Sequence, residues 1–134
     1  MLHEHVFAPF AVFVASLLTL RPRRFARRSR TDTPPHVNSA IMHNFYTNFL
    51  SVRTLPVPVV AAVNGAAIGA GACVTLAADY RVAKPSAVIG FNFAKLGIHP
   101  GMGGSHYLPR LIGHGPASRV LLSGATYSGD EAKV

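Results

Sequence analysis

The sequence predicts an α/β fold, and three observations carry that prediction. Val59-Val60-Ala61-Ala62-Val63 is a short apolar run led by β-branched residues and closed by a turn, which reads as a buried strand. From about Ala70 the pattern becomes helical, through Cys73, Val74, Leu76 and Ala77. Two further strand-like runs, Tyr80–Ala83 and Ala87–Phe91, flank the turn Lys84-Pro85-Ser86, and helical segments follow them.

In chain order, residues 1–38 read differently from the rest. Val6 to Leu20 is apolar over about one fifteen-residue helix, shorter than the ~20 residues that a membrane span needs. Arg21, Arg23, Arg24, Arg27, Arg28 and Arg30 follow at once. A secretory signal would carry its positive charge before the apolar stretch, and Met1-Leu2-His3-Glu4-His5 does not supply it. The Arg-rich, acid-poor composition with Ser29 and Thr31 fits a mitochondrial presequence, whereas the apolar opening fits it poorly. Three readings stand: an extension without a role of its own, an organelle leader, and a membrane anchor. Without a leader, the expected location is cytoplasmic.

Thr33-Pro34-Pro35 reads as a linker, because consecutive prolines disfavour helix. The folded domain is therefore expected over residues 39–134. Ser39 to Val52 carries Ile41, Phe45, Tyr46, Phe49 and Leu50 at helical spacing, with Ser39 placed as N-cap, and its aromatic residues are expected in the core. Pro56 and Pro58 end that helix. Asn64-Gly65 breaks the chain after the Val59 strand, since both residues tolerate positive φ. Ala66 to Ala72 holds only Ala, Gly and one Ile, so other groups can approach its backbone closely. Asp79 is the only acidic residue between Asp32 and Asp130, and its place between helix and strand marks it as a structural hydrogen-bonder. Gly97 to Ser105 is a glycine-rich loop; Ser105–Ile112 and Pro116–Ser123 read as helices ended by Gly113 and Gly124. Ser128 and Glu131 form a capping box that announces another helix. Only three residues follow Glu131, and one turn does not offset the cost of helix nucleation, so the sequence reads as interrupted in mid-element.

Composition bounds the function. The chain has 134 residues, enough for one small domain; 49% are hydrophobic and 13% charged, which excludes a disordered tail. The net charge of +8 is concentrated in the Arg21–Arg30 run, which has only Phe25 as a base-stacking aromatic, so nucleic acid is not an expected partner. A single cysteine, Cys73, excludes an internal disulfide and fits a reducing compartment. His99, His106 and His114 are too widely spaced for a metal site, and no metal is expected.

The chemical signal lies at Gly69-Ala70-Gly71. A glycine-rich strand-to-helix turn leaves the first N–H groups of the helix unpaired and pointing outward with the positive end of the dipole, ready for a developing negative charge. The same residues would serve equally for close packing of a helix on a sheet.

Val59 to Asp79, then Tyr80-Arg81-Val82-Ala83, then Leu96-Gly97-Ile98-His99-Pro100-Gly101-Met102-Gly103-Gly104, resembles the enoyl-CoA hydratase/isomerase (crotonase) superfamily. The shared pieces are A-A-V-N-G, G-x-G, A-x-D and L-G-x-x-P-G-x-G-G in the family's order, over residues 55–134. The resemblance implies a partial crotonase-like ββα superhelix, the middle portion of that fold. It implies an acyl-CoA thioester as substrate, with no other cofactor. It further implies that the Ala70 N–H is one of two oxyanion donors, and that Gly69, Gly71, Gly101, Gly103 and Gly104 line the substrate. The family's second donor lies upstream in an A-G-x-D-like pattern, which the residues before Ser39 do not contain. Hydratases of the family use two glutamates; by the motif these positions are Cys73 and Phe93, and neither side chain can replace a carboxylate. Two functions follow as expectations. One is a hydratase or isomerase lineage in acyl metabolism, as a homo-oligomer. The other is a non-catalytic fragment or scaffold that pairs with a full-length relative.

Overall fold

The computed structural model describes residues 11–14 and 34–133. Two small sheets share the work of carrying the helices. The first runs β1 (Ala11–Val14), β2 (Val59–Val63), β4 (Tyr80–Ala83) side by side, all parallel. The second places β3 (Ala66–Ile68) parallel to β5 (Val88–Gly90), with β6 (Thr126–Ser128) antiparallel to β5. Between them run α1 (Pro35–Leu50), α2 (Ala70–Leu76), α3 (Gly104–Ile112) and α4 (His114–Ser123), with 3₁₀ turns at Ser51–Thr54 and Ala94–Leu96.

β2 is a strand for the reason its sequence gives: Val59, Ala61 and Val63 are buried while Val60 and Ala62 are half-buried, so the run is covered on both faces. Its start is locked by Asp79. The Val59 N–H donates to Asp79 Oδ2 at 2.8 Å, and the Asp79 N–H donates to the Val59 carbonyl at 2.9 Å. This is the structural role expected of that carboxylate. Arg81 closes the other end of the corner, its Nη1 donating to the carbonyls of Thr75 (3.2 Å) and Ala78 (2.7 Å) at the C-terminus of α2.

Several sequence expectations need correction. Residues 11–14 lie inside the stretch read as helical, yet they form a strand beside β2; the rest of Val6–Leu20 and the Arg21–Arg30 run lie outside the described residues. α1 starts at Pro35 rather than behind a Ser39 cap, so the boundary drawn at 38 falls within a helix. The reason is that proline at the first helical position forfeits only an amide that has no intrahelical partner anyway, and its φ is already helical. β3 was expected only as a small-residue approach segment, and β6 not at all. The capping box does form: Ser128 N–H and Oγ–H both donate to Glu131 Oε2 (2.7 and 2.9 Å), and Glu131 N–H donates to Ser128 Oγ at 3.2 Å. It closes a single turn, with Ala132 N–H on the Ser128 carbonyl at 3.0 Å.

The largest correction concerns α1. Its aromatic face was assigned to the core, but the helix buries no residue. Ile41, Phe45 and Phe49 are 57%, 42% and 46% exposed and, with Val37, form an i, i+4 stripe turned outward. Phe45 and Phe49 pack on each other, ring centroids 4.7 Å apart. Tyr46 alone among the aromatics of α1 turns inward, against the principal core of Ala72, Cys73, Leu76, Phe91, Phe93, Met102, Leu108 and Ala117. Apolar stripes of this kind drive association in water. The 134-residue chain expressed alone is therefore expected to bind a hydrophobic dye and to self-associate. Ile41→Glu with Phe45→Glu should reduce both without lowering the urea midpoint. A monodisperse, dye-free chain with a sharp cooperative melt would contradict this.

Candidate active site

The site is built on one glycine. Gly69 follows β3 with φ 57° and ψ −116°, a conformation that side-chain-bearing residues rarely adopt. Its N–H donates to the Gly90 carbonyl of β5 at 2.8 Å, and its carbonyl accepts the Cys73 N–H at 3.0 Å, starting α2. A methyl group there would also stand 3.2 Å from Asn92 Oδ1. The turn therefore swings the chain from the second sheet straight into the helix. Ala70, the first helical residue, is exposed, and its N–H falls in the first turn where no intrahelical acceptor exists. Gly71, next along, is half-buried.

One turn further in, Cys73 is fully buried. Its thiol is pushed up to about 12, chiefly by burial and partly offset by a hydrogen bond from the Gly104 backbone. A Cβ on Gly104 would lie 3.0 Å from Cys73 Sγ, so only glycine lets α3 come this close to α2. Phe93 is 9% exposed and belongs to the same apolar cluster as Cys73. Its ring tip would lie 3.9 Å from a Cβ on Gly69. The two positions thus share one dry cluster beneath the Gly69 turn.

The structure gathers Gly69, Cys73, Phe93 and Gly104 around that cluster. Gly101 and Gly103 face elsewhere in the loop. A Cβ on Gly101 would be 2.7 Å from Tyr46 Oη, and one on Gly103, at φ +72°, would be 2.5 Å from the Tyr107 ring. Gly101 is tied to Gly104 by the Gly104 N–H on its carbonyl at 2.9 Å. His99, His106 and His114 are all exposed, and His106 stacks edge-on against Tyr107 with centroids 4.9 Å apart. Sequence reasoning missed Tyr46 as a neighbour of the loop. Its helical spacing marked it as apolar packing, and nothing in one dimension links position 46 to Gly101.

Two outcomes follow. Gly69→Ala should destabilise the chain by roughly 1–3 kcal/mol, read as a lower urea midpoint, because the backbone must hold alanine in a forbidden region. An unchanged midpoint would mean that the turn relaxes. Cys73 should label with a thiol reagent at pH 8 far more slowly in the folded chain than in denaturant. The raised thiol also fixes a pH sign. Below the ordinary value of 9.0 folded and unfolded thiols are both neutral; between there and about 12 only the unfolded thiol ionises, so stability falls as pH rises through that window. Cys73→Ala should flatten that part of the fall, and equal slopes in the two proteins would contradict the assignment.

The sequence profile of the enoyl-CoA hydratase/isomerase family matches residues 29–134. A probable enoyl-CoA hydratase of Mycobacterium tuberculosis is 44% identical over 87 residues, covering 65% of this chain and 34% of the relative. The crystal structure of an enoyl-CoA hydratase/isomerase from Cupriavidus metallidurans superposes with a TM-score of 0.72 at 30% identity, covering 78% of this chain and 40% of that one. A protein of Thermobifida fusca assigned as an enoyl-CoA hydratase, solved in complex with acetoacetyl-CoA, gives 0.69 at 29% identity, with 72% and 38% covered. The chain thus spans about a third of the length of its curated relatives, within the crotonase fold. It belongs to the enoyl-CoA hydratase/isomerase family.

Proposed function

We propose that the chain binds an acyl-CoA thioester with its carbonyl oxygen at the Ala70 N–H, and that it does not hydrate an enoyl thioester. The observation that carries the reading is the Gly69 turn: pinned to Gly90, it presents the exposed first amide of α2 directly above the core cluster. A main-chain donor survives alanine in place of glycine at position 70. Such a donor aimed at a developing oxyanion is worth ~3 kcal/mol of transition-state stabilisation. The acetoacetyl-CoA complex of the Thermobifida relative supports the choice of thioester.

Hydration also requires a base for water and an acid for carbon, each contributing roughly 10²–10⁴-fold. Cys73 and Phe93 stand where the family's glutamates would. A buried thiol at about 12 is protonated at neutral pH, and a phenyl ring transfers no proton. The supported chemistry is therefore recognition and polarisation of the thioester.

A second reading is favoured by the outward stripe of Val37, Ile41, Phe45 and Phe49. In it the chain is a non-catalytic piece of the fold that associates with another family member through α1.

Loss of absorbance of a conjugated short enoyl-CoA tests the first reading. The purified chain should not exceed buffer, and titration with a saturated acyl-CoA should still show saturable binding. Cys73→Glu with Phe93→Glu should not create turnover, because two carboxylates forced into a dry cluster destabilise the fold by ~3 kcal/mol or more. Turnover well above buffer, undiminished in Phe93→Ala, would overturn the reading.

A further inference from the structure

Tyr46 is the titratable group that the proposed chemistry leaves unused. Its side chain descends from α1 onto the principal core, beside Met102 and Cys73 in the same cluster. Its hydroxyl rests against the Cα of Gly101, so closely that a Cβ there would sit 2.7 Å from Oη. The residue is half-buried, and among the described residues no hydrogen bond to its hydroxyl is made. The other polar candidates are turned away. His99, His106 and Lys95 are exposed, and the Asp79 carboxylate is committed to the Val59 N–H at 2.8 Å. The contacts run in an unbroken series from the turn: Ala70 lies one turn from Cys73, Cys73 touches Gly104, Gly104 bonds Gly101, and Gly101 carries Tyr46.

We propose that the Tyr46 hydroxyl contacts the bound acyl group and makes the site prefer chains bearing an oxygen at C3 over plain alkanoyl chains. This rests on the acyl-thioester reading above. With the thioester oxygen at Ala70, the chain passes a wall of Cys73, Phe93 and Met102, none of which can hydrogen-bond a substituent well. Tyr46 is the group on that wall that can, as donor or acceptor. A plain alkyl chain would cover a half-buried hydroxyl and give it nothing in return, whereas a C3 oxygen replaces the water it loses.

The test is calorimetric titration of the full chain and of Tyr46→Phe with 3-hydroxybutyryl-CoA and butyryl-CoA. Phenylalanine keeps the ring on Gly101 and removes only the hydroxyl, and a matching thermal melt checks that the fold is kept. The wild-type chain should bind the 3-hydroxy thioester about 5-fold more tightly, the scale of one hydrogen bond. Tyr46→Phe should abolish that preference and leave butyryl-CoA binding unchanged. If butyryl-CoA binds but the preference is missing, or persists in Tyr46→Phe, the role of Tyr46 is overturned and the thioester site stands. If neither thioester binds the wild-type chain, both fall together.

Discussion

The hydrogen bond from Gly69 N–H to the Gly90 carbonyl is the constraint on which the rest of the structure depends. It joins the end of β3 to the end of β5 while the chain turns through a φ that glycine alone holds without strain. Because β3 stops there, α2 can start at the next residue, and its first amide emerges at the surface. Because α2 starts there, Cys73 arrives one turn later against Gly104, and α3 docks at a distance that a side chain would forbid. The site and the core are thus two sides of a single turn. Strain at Gly69 would be felt in both.

The interior beneath that turn explains the chemistry that this chain offers. Apolar residues at 73 and 93 cohere with Ala72, Leu76, Phe91, Met102 and Leu108, and burial holds the one thiol neutral. A cluster of this kind stabilises by excluding water, which is the opposite of what a water-activating site requires. What remains for a ligand is a backbone dipole at Ala70 and a phenol at the rim. The same lack of carboxylates leaves Asp79 free to act as a clamp between β2 and β4.

Much of this was legible in the sequence, wherever a local signal matched its tertiary use. The Val59 strand, the break at Asn64-Gly65 and the helix from Ala70 follow from β-branching, turn chemistry and the change of period. Asp79 was legible because a lone acid between two elements has few other uses. The Ser128–Glu131 box was legible as geometry, though not as the end of a strand, because Thr126–Ser128 is a strand only through its pairing with Val88–Gly90. The outward face of α1 was illegible for a deeper reason. Periodicity says that Ile41, Phe45 and Phe49 share a face; it does not say what meets that face. Tyr46 differs from its neighbours only by lying against Gly101, 55 positions away in the chain, and that contact exists in three dimensions alone.

The central claim is that the Ala70 amide receives the thioester oxygen, and amide NMR of a selectively [¹⁵N]alanine-labelled chain tests it most directly. The alanine resonances would be followed through a titration with butyryl-CoA, with Ala70 assigned by Ala70→Ser. The account predicts a large, saturable downfield shift of the Ala70 proton as it takes up an acceptor, with smaller changes at Ala66 and Ala94. A saturating titration in which the Ala70 amide stays in place while other alanines move would contradict it.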